Sequence, residues 1–96
     1  MTPEAKVKAN VVKILKKYEV YYFFTATGGF GRSGVPDVVC CVKGKFLGIE
    51  CKANGNQPTA LQEREIEAIR SAKGMAMVVH EGNLDALETV IKESTA

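Results

Sequence analysis

The first eighteen residues carry apolar side chains at the spacing of a helix. Apolar positions recur every three or four residues between lysines. This predicts a first helix over residues 4–18, with an inward stripe of Val7, Val11, Ile14, Leu15 and Tyr18. Thr2 suits the N-cap, and Pro3 suits the first helical position. Glu4 lies three residues before Val7 and extends the inward stripe, where packing alone does not explain a carboxylate.

The middle of the chain has the composition of β-strands. Residues 20–26 are β-branched and aromatic, which predicts a strand buried on both faces. Residues 27–34 contain four glycines, so we expect a loop there. Residues 37–42 and 46–52 predict a second and a third strand, and residues 43–45 predict the tight turn of a hairpin between them.

The last part alternates helix and strand. Residues 59–73 predict a second helix, which Gly74 ends, with Leu61, Ala68, Ile69 and Ala72 facing inward and Ile66 to one side. Residues 75–80 predict a fourth strand, and Asn83 is expected to cap a third helix. The resulting order is α-β-β-β-α-β-α in a single α/β domain over residues 1–96.

Composition and charge narrow the class of protein. With 46% hydrophobic and 25% charged residues, the chain is neither disordered nor of low complexity, and no apolar run approaches the roughly 20 residues of a membrane span. Its three cysteines lack a CxxC spacing, and no apolar signal-peptide core is present, so we expect a cytoplasmic protein without disulfides or zinc. Five of the thirteen cations lie in residues 1–17, which fits a nucleic-acid contact or a solvated lysine face.

Three polar groups come together on the predicted hairpin. A two-residue turn at Lys43-Gly44 pairs Asp37 with Glu50, whereas a turn at Gly44-Lys45 pairs Asp37 with Lys52. Both registers place these three side chains on one face at the open end of the hairpin, and a three-residue loop would separate them.

Two neighbouring carboxylates repel each other unless a proton or a cation lies between them. Oxygen ligands suit Mg²⁺ or Mn²⁺, to which the Cys51 carbonyl and Glu4 could add, and an ammonium at Lys52 can stabilise charge on a phosphate or orient water. The alternatives are a surface ion pair between Glu50 and Lys52 and a simple Pro-Asp turn at Asp37.

The quoted residues resemble a known nuclease superfamily. Gly34-Val35-Pro36-Asp37, Glu50-Cys51-Lys52 and Gln62 resemble the motif of the PD-(D/E)XK nucleases, and most closely that of the virus-type replication-repair nuclease (VRR-NUC) branch. This resemblance runs from Glu4 to about His80. It implies a restriction-endonuclease-like core, with a mixed central sheet flanked by helices.

The resemblance also implies roles for individual residues. Asp37 and Glu50 would be metal ligands, Lys52 the catalytic lysine, and Gln62 and Glu4 further residues of the catalytic site. Gln62 is also placed to complete a capping box with Thr59, so the two interpretations stay open.

Other residues are candidates for contact with DNA. Arg32 in the glycine-rich loop is either a phosphate contact or a solvated residue, and Lys6, Lys13 and Lys45 are further candidate DNA-binding residues. Phe30 is either a wedge at a junction or an anchor for the loop or for a dimer partner. His80 is expected to be structural.

The function that these expectations favour is a metal-dependent Holliday junction resolvase. Short members of the branch resemble homodimeric resolvases of viruses and bacteria, which implies branched DNA as the partner, 5′-phosphate and 3′-hydroxyl products, and a phage or prophage origin. A junction needs two symmetric cuts, and the aromatic strand 20–24 is a candidate dimer surface. The alternatives are a flap or single-strand nuclease on the same core and a DNA-binding homologue without catalysis. No small-molecule cofactor and no membrane association are expected.

Overall fold

The computed structural model describes residues 1–25 and 32–95 of the chain. Phe30 and most of the glycine-rich loop lie outside these residues. The order of elements is the predicted one: α1 (Pro3–Lys17), β1 (Tyr21–Phe24), β2 (Val38–Val42), β3 (Lys45–Cys51), α2 (Ala60–Ser71), β4 (Met75–Val79) and α3 (Leu84–Thr95).

The described strands form one mixed sheet in the order β1-β2-β3-β4. β1 pairs with β2 and β2 with β3 in antiparallel fashion, while β3 and β4 are parallel. Val42 pairs with Lys45 across a two-residue turn, in which Lys43 and Gly44 both adopt positive φ angles of 50° and 85°. This left-handed geometry is that of a tight hairpin turn, and it selects the register in which Asp37 lies opposite Glu50.

The main core lies between one face of the sheet and the helices α1 and α3. Val11, Leu15, Leu87 and Ile91 are fully buried there against the apolar residues of the central strands. The hydroxyl oxygen of Thr2 accepts a hydrogen bond from the backbone N–H of Ala5 at 3.1 Å, which confirms the predicted cap of α1. We call this side of the sheet the α1/α3 face.

Helix α2 covers β3 and β4 on the opposite side, which we call the α2 face. The helix approaches closely because β3 carries a glycine there: a Cβ added to Gly48 would lie 2.8 Å from Cγ of Pro36 and 3.1 Å from Cδ1 of Ile69. A larger residue at this position would push the helix away from the strand that carries Glu50.

The predicted inward face of α2 is correct only at Ile69, which packs on β3. Leu61 is 47% exposed, and Ala68 and Ala72 are exposed as well, whereas Glu65 and Ile66 are the buried residues. The helix covers only part of one sheet face, so a narrow stripe of its surface points inward and its other apolar residues stay in contact with solvent.

The burial of β1 also differs from the prediction of a strand buried on both faces. Tyr21, Phe23 and Phe24 are 70%, 50% and 51% exposed. β1 is an edge strand of the described sheet, and the contacts of α2 are with β3 and β4, so the aromatic side chains of β1 on the α2 face are left exposed. Only Tyr22 packs against the core from this strand.

Two predicted helix boundaries have different chemistry from that expected. α2 ends with a left-handed Lys73 (φ 72°) rather than with a left-handed glycine, and Gly74 donates its N–H to the carbonyl of Ile69 at 2.9 Å. Asn83 precedes α3, but its side chain accepts a hydrogen bond from the N–H of His80 and donates one to the carbonyl of Val78. In residues 1–25 and 32–95, no helix combines the length and apolarity needed to cross a bilayer.

Candidate active site

The register of the hairpin brings the predicted polar residues together. Asp37 directly precedes β2, and its Oδ2 accepts a hydrogen bond from the backbone N–H of Cys51 at 2.8 Å. The carbonyl of Asp37 accepts a hydrogen bond from the N–H of Thr25 at 3.0 Å, which continues the pairing of β1 and β2 by one residue. Asp37 is therefore fixed between the ends of β1 and β3, the two strands that flank β2, and lies beside Glu50.

Glu50 is a buried carboxylate in polar surroundings. Its side chain is only 3% exposed, and its Oε2 accepts a hydrogen bond from Nε2 of Gln62 at 3.1 Å. The ammonium nitrogen of Lys52 lies 3.9 Å from the same oxygen. The other oxygen, Oε1, is fully buried and has no hydrogen-bond partner among the described residues.

Burial raises the pKa of Glu50 to about 8, and the neighbouring Asp37 carboxylate contributes in the same direction. Lys52 opposes this shift, but its effect is smaller than that of burial. The site therefore lacks sufficient positive charge, so a cation beside Glu50 and Asp37 would be stabilised electrostatically.

The donor set fits a divalent cation with oxygen ligands. Asp37 and Glu50 supply carboxylates, and the Cys51 carbonyl is adjacent in sequence. The buried Oε1 of Glu50 has no hydrogen-bond partner among the described residues, so this oxygen needs a positive partner. Among the same residues, no three His, Cys, Asp or Glu side chains form a ready-made metal cluster. Magnesium fits this arrangement, since it commonly uses one or two carboxylates together with water and phosphate oxygens.

Gln62 completes the predicted capping box and also donates a hydrogen bond to Glu50, while its catalytic role stays a prediction. Its Oε1 accepts a hydrogen bond from the N–H of Thr59 at 2.8 Å, and the hydroxyl of Thr59 accepts one from the N–H of Gln62 at 3.2 Å, which completes the capping box. Its Nε2 remains directed at Glu50. The start of α2 therefore holds the amide in place and presents it to the carboxylate.

Glu4 lies on the first turn of α1 and is exposed. Its charge is close enough to contribute to the raised pKa of Glu50, after the larger effects of burial and of Asp37. The glutamate thus lies near Glu50, but its exposure differs from the inward position that the apolar stripe predicted. Its assignment as a metal ligand stays a prediction.

The predicted DNA-binding residues occupy different parts of the surface. Lys6 and Lys13 are exposed on α1. Lys45 begins β3, so five residue steps, or about 17 Å, separate it from Glu50 at the other end of the strand. Arg32 pairs with Glu65, with its Nε 2.9 Å from Oε1 and 3.0 Å from Oε2.

His80 has a local structural contact. Its Nδ1 accepts a hydrogen bond from the N–H of Gly82 at 3.0 Å, which fixes the ring over the turn that leads to α3. The structural interpretation of this histidine agrees with the contact.

Two further residues near the site were not predicted. Lys8 is half-buried on α1, and its Nζ lies 5.3 Å from the centroid of the Phe24 ring. Its spacing of four residues from Glu4 was the available signal, because such residues share a helix face. Glu65 is a buried acid on α2, and its signal was the spacing of three residues from Gln62.

Comparisons with known proteins agree on fold and family. The solved structure of a protein titled "VRR_NUC domain" is 20% identical, with a TM-score of 0.71 over 97% of this chain and 94% of that one. A second structure, titled "VRR_NUC domain protein", is 19% identical, with a TM-score of 0.72 over 97% and 88%. The predicted restriction-endonuclease-like fold is confirmed. No curated protein matches the sequence significantly.

The family comparison covers most of the chain and most of the site. The sequence model of the archaeal Holliday junction resolvase family matches residues 5–81, which include Asp37, Glu50, Lys52 and Gln62 but not Glu4. This family is of the PD-(D/E)XK nuclease type, as the sequence motif predicted. The chain belongs to the archaeal Holliday junction resolvase family of nucleases.

Proposed function

We propose that this protein is a Mg²⁺- or Mn²⁺-dependent DNA endonuclease that resolves four-way junctions. The observation that carries the proposal is the juxtaposition of Asp37, Glu50 and Lys52, in which a buried carboxylate oxygen lacks a partner among the residues described. An ordinary surface ion pair does not require a carboxylate that is 3% exposed, with an acid as its neighbour.

Each residue of the site has a role in this reaction. Asp37, Glu50 and the carbonyl of Cys51 would hold the divalent ion, with Glu4 as a further carboxylate. When bound, such an ion neutralises phosphate charge and lowers the pKa of water. Gln62 orients the carboxylate of Glu50 through its amide.

Lys52 is placed to stabilise the negative charge that develops on the phosphate or to orient the attacking water. Its side chain is 13% exposed, so its charge is only weakly screened by solvent. Water attacks the phosphorus in line, the bond from phosphorus to the 3′ oxygen breaks, and that oxygen gains a proton. The products are 5′-phosphate and 3′-hydroxyl ends.

DNA would lie across the basic first part of the chain. The proposed contacts with backbone phosphates are Lys6 and Lys13 on α1, and Arg32, which forms an ion pair with Glu65. Lys45 would reach a more distant part of the branched substrate. Phosphate contacts carry no sequence information by themselves, so recognition depends on the shape of the junction.

We propose that a second copy of the chain covers the open part of the α2 face. Phe23 pairs with Val39 and Tyr21 with Cys41, which places both rings on this face beside Phe46, and Phe46 is 44% exposed. A two-fold dimer would supply the two active sites that symmetric cutting of a junction requires. Exposed aromatic rings of this kind are typical anchors of such interfaces.

Sedimentation tests the dimer. The wild-type chain is expected to be a dimer at micromolar concentration, and Phe23→Glu is expected to be a monomer that cuts junctions poorly. Ala86→Glu is the matched control, because Ala86 is exposed on α3, across the sheet from the proposed interface. A wild-type monomer at that concentration would contradict the proposal.

Cleavage of matched substrates tests the activity. A four-way junction, a flap and a plain duplex are incubated with Mg²⁺ or Mn²⁺, and DNA ligase is used to detect 5′-phosphate and 3′-hydroxyl ends at the nicks. We expect Glu50→Gln and Lys52→Ala to cut the junction at least about a hundredfold more slowly while still binding it. Glu67→Gln, an exposed charge change on α2, is expected to cut like the wild type.

Two outcomes of this assay would count against the proposal. Equal cutting of flap and junction would favour a flap nuclease on the same core. Unchanged cutting by Lys52→Ala would remove its catalytic assignment.

The cysteines support a reducing compartment such as the cytoplasm. In the part of the chain that the structure describes, Cys40, Cys41 and Cys51 all have free thiols, although the first two are neighbours. A phage or prophage origin in a bacterial host stays a prediction.

A further inference from the structure

A buried acid outside the catalytic group holds Arg32 at the surface. The side chain of Glu65 is 8% exposed, whereas that of Arg32 is 72% exposed. Nε of the guanidinium lies 2.9 Å from one oxygen of Glu65 and 3.0 Å from the other. The pair thus joins a fixed carboxylate inside the protein to a cation that faces solvent.

The pair lies close to the catalytic residues along α2. Glu65 follows Gln62 by three residues, or about 4.5 Å along the helix axis, and Gln62 donates to Glu50. The chain that carries Arg32 is also pressed against the start of α2, because a Cβ added to Gly34 would lie only 2.7 Å from the carbonyl oxygen of Leu61. Gly34 has a φ of 82°, which favours glycine at this close approach.

Stability alone does not account for this arrangement. Burying a carboxylate removes it from water at a cost, and a partner that is mostly in solvent offsets that cost only in part. The contact instead fixes the orientation of the guanidinium. Arginine has five N–H donors in a planar fork, so with Nε–H bound to Glu65 the two terminal nitrogens have a fixed orientation.

We propose that Glu65 is a positioning residue that holds Arg32 so that its terminal nitrogens bind a backbone phosphate next to the cut position. This inference rests on the proposed function, since it assumes that DNA lies across the site. It adds a residue, Glu65, that neither the motif nor the proposed mechanism includes.

The direction in which one substitution changes the affinity for DNA distinguishes this role from a simple charge effect. Glu65→Gln removes a negative charge, so a charge effect alone would strengthen DNA binding. If Glu65 positions Arg32, the same substitution weakens binding, because the guanidinium loses its fixed orientation. Glu67→Gln makes the same charge change on the exposed side of α2 and is the matched control.

The experiment measures the dissociation constant for a four-way junction in EDTA at several salt concentrations. Arg32→Gln is expected to weaken binding about tenfold and to lower the slope of affinity against salt by about one, as for one lost phosphate contact. Glu65→Gln is expected to weaken binding at least about threefold. Arg32→Lys is expected to bind the junction more weakly than the wild type, because lysine keeps the charge but lacks the planar fork of N–H donors.

Further readouts separate positioning from a structural role. The double variant Arg32→Gln/Glu65→Gln is expected to bind like Arg32→Gln alone, because the two residues act as a unit. At saturating junction and Mg²⁺, kcat of Glu65→Gln is expected to stay within about twofold of the wild type while KM rises. Thermal unfolding of each variant checks that it is folded.

The possible results distinguish the two proposals. If the wild type binds and cuts junctions but Glu65→Gln binds as tightly as Glu67→Gln, the positioning role is wrong and the proposed function stands. If Glu65→Gln does not fold, Arg32→Lys decides: wild-type affinity in that variant overturns the inference, and weakened affinity supports it. A wild type that neither binds nor cuts junctions overturns both.

Discussion

The buried carboxylate of Glu50 should make stability depend on pH in an unusual direction. Its pKa is raised from 4.5 to about 8, so between these pH values the folded chain holds a proton that the unfolded chain has lost. Stability is therefore highest below pH 4.5 as far as this group is concerned, and it falls as the pH rises towards 8. At about 1.4 kcal/mol per pKa unit, the full loss is on the order of 5 kcal/mol, and we take this as an upper limit.

Substitution by glutamine isolates this effect. Glu50→Gln keeps the size of the side chain and removes the group that titrates, so in EDTA its free energy of unfolding should be nearly constant from pH 5 to 8. The wild type should lose several kcal/mol over the same range. The rest of the chain is identical in the two proteins, so other contributions to the pH dependence cancel in the difference. Glu67→Gln, which changes an exposed acid, should follow the wild type.

Urea unfolding at each pH is the measurement. Adding Mg²⁺ at pH 8 should restore stability to the wild type and have little effect on Glu50→Gln, since only the former has both carboxylates to bind the ion. If the wild type were equally stable at pH 5 and pH 8 in EDTA, or more stable at pH 8, the reasoning about Glu50 would be refuted.

Three further predictions concern packing, thiol reactivity and charge near the site. Gly48→Ala should lower the free energy of unfolding by about 1–3 kcal/mol in urea, since the added methyl group meets α2 and the preceding loop. Burial raises the pKa of Cys40 and of Cys51 to about 12. Mass spectrometry of the native chain after alkylation should therefore show one modification, at the exposed Cys41. Lys8→Met should weaken junction binding about fivefold and Lys16→Met should not, because the charge of Lys8 acts on Cys51, the residue next to Glu50 in β3.

The hairpin shows how much of the site the sequence could predict. Alternation along the two strands, together with a glycine in the turn, was enough to place Asp37, Glu50 and Lys52 on one face. The choice between two registers required the structure, because both turns are sterically allowed. The positive φ angles of Lys43 and Gly44 make that choice.

Burial was predicted less well, for a physical reason. Whether a strand is central or at an edge depends on which elements pack over it, and the aromatic composition of β1 fits both positions. The same holds for α2, whose apolar Leu61 is exposed while the acid Glu65 is buried. Hydrophobic periodicity assigns the more apolar face to the core, so it fails where a helix directs polar side chains inward for a site.

Helix α2 links the two halves of the proposed mechanism. One of its turns presents Gln62 to the buried Glu50, and the next presents Glu65 to Arg32. Its distance from the sheet is set by Gly48, the residue two positions before Glu50 in the same strand. A shift of α2 would therefore move two groups at the same time: the Gln62 amide that binds the Glu50 carboxylate, and the Glu65 carboxylate that binds the Arg32 guanidinium. The packing of this helix on β3 and β4 therefore couples the geometry of the candidate active site to that of the proposed DNA contact.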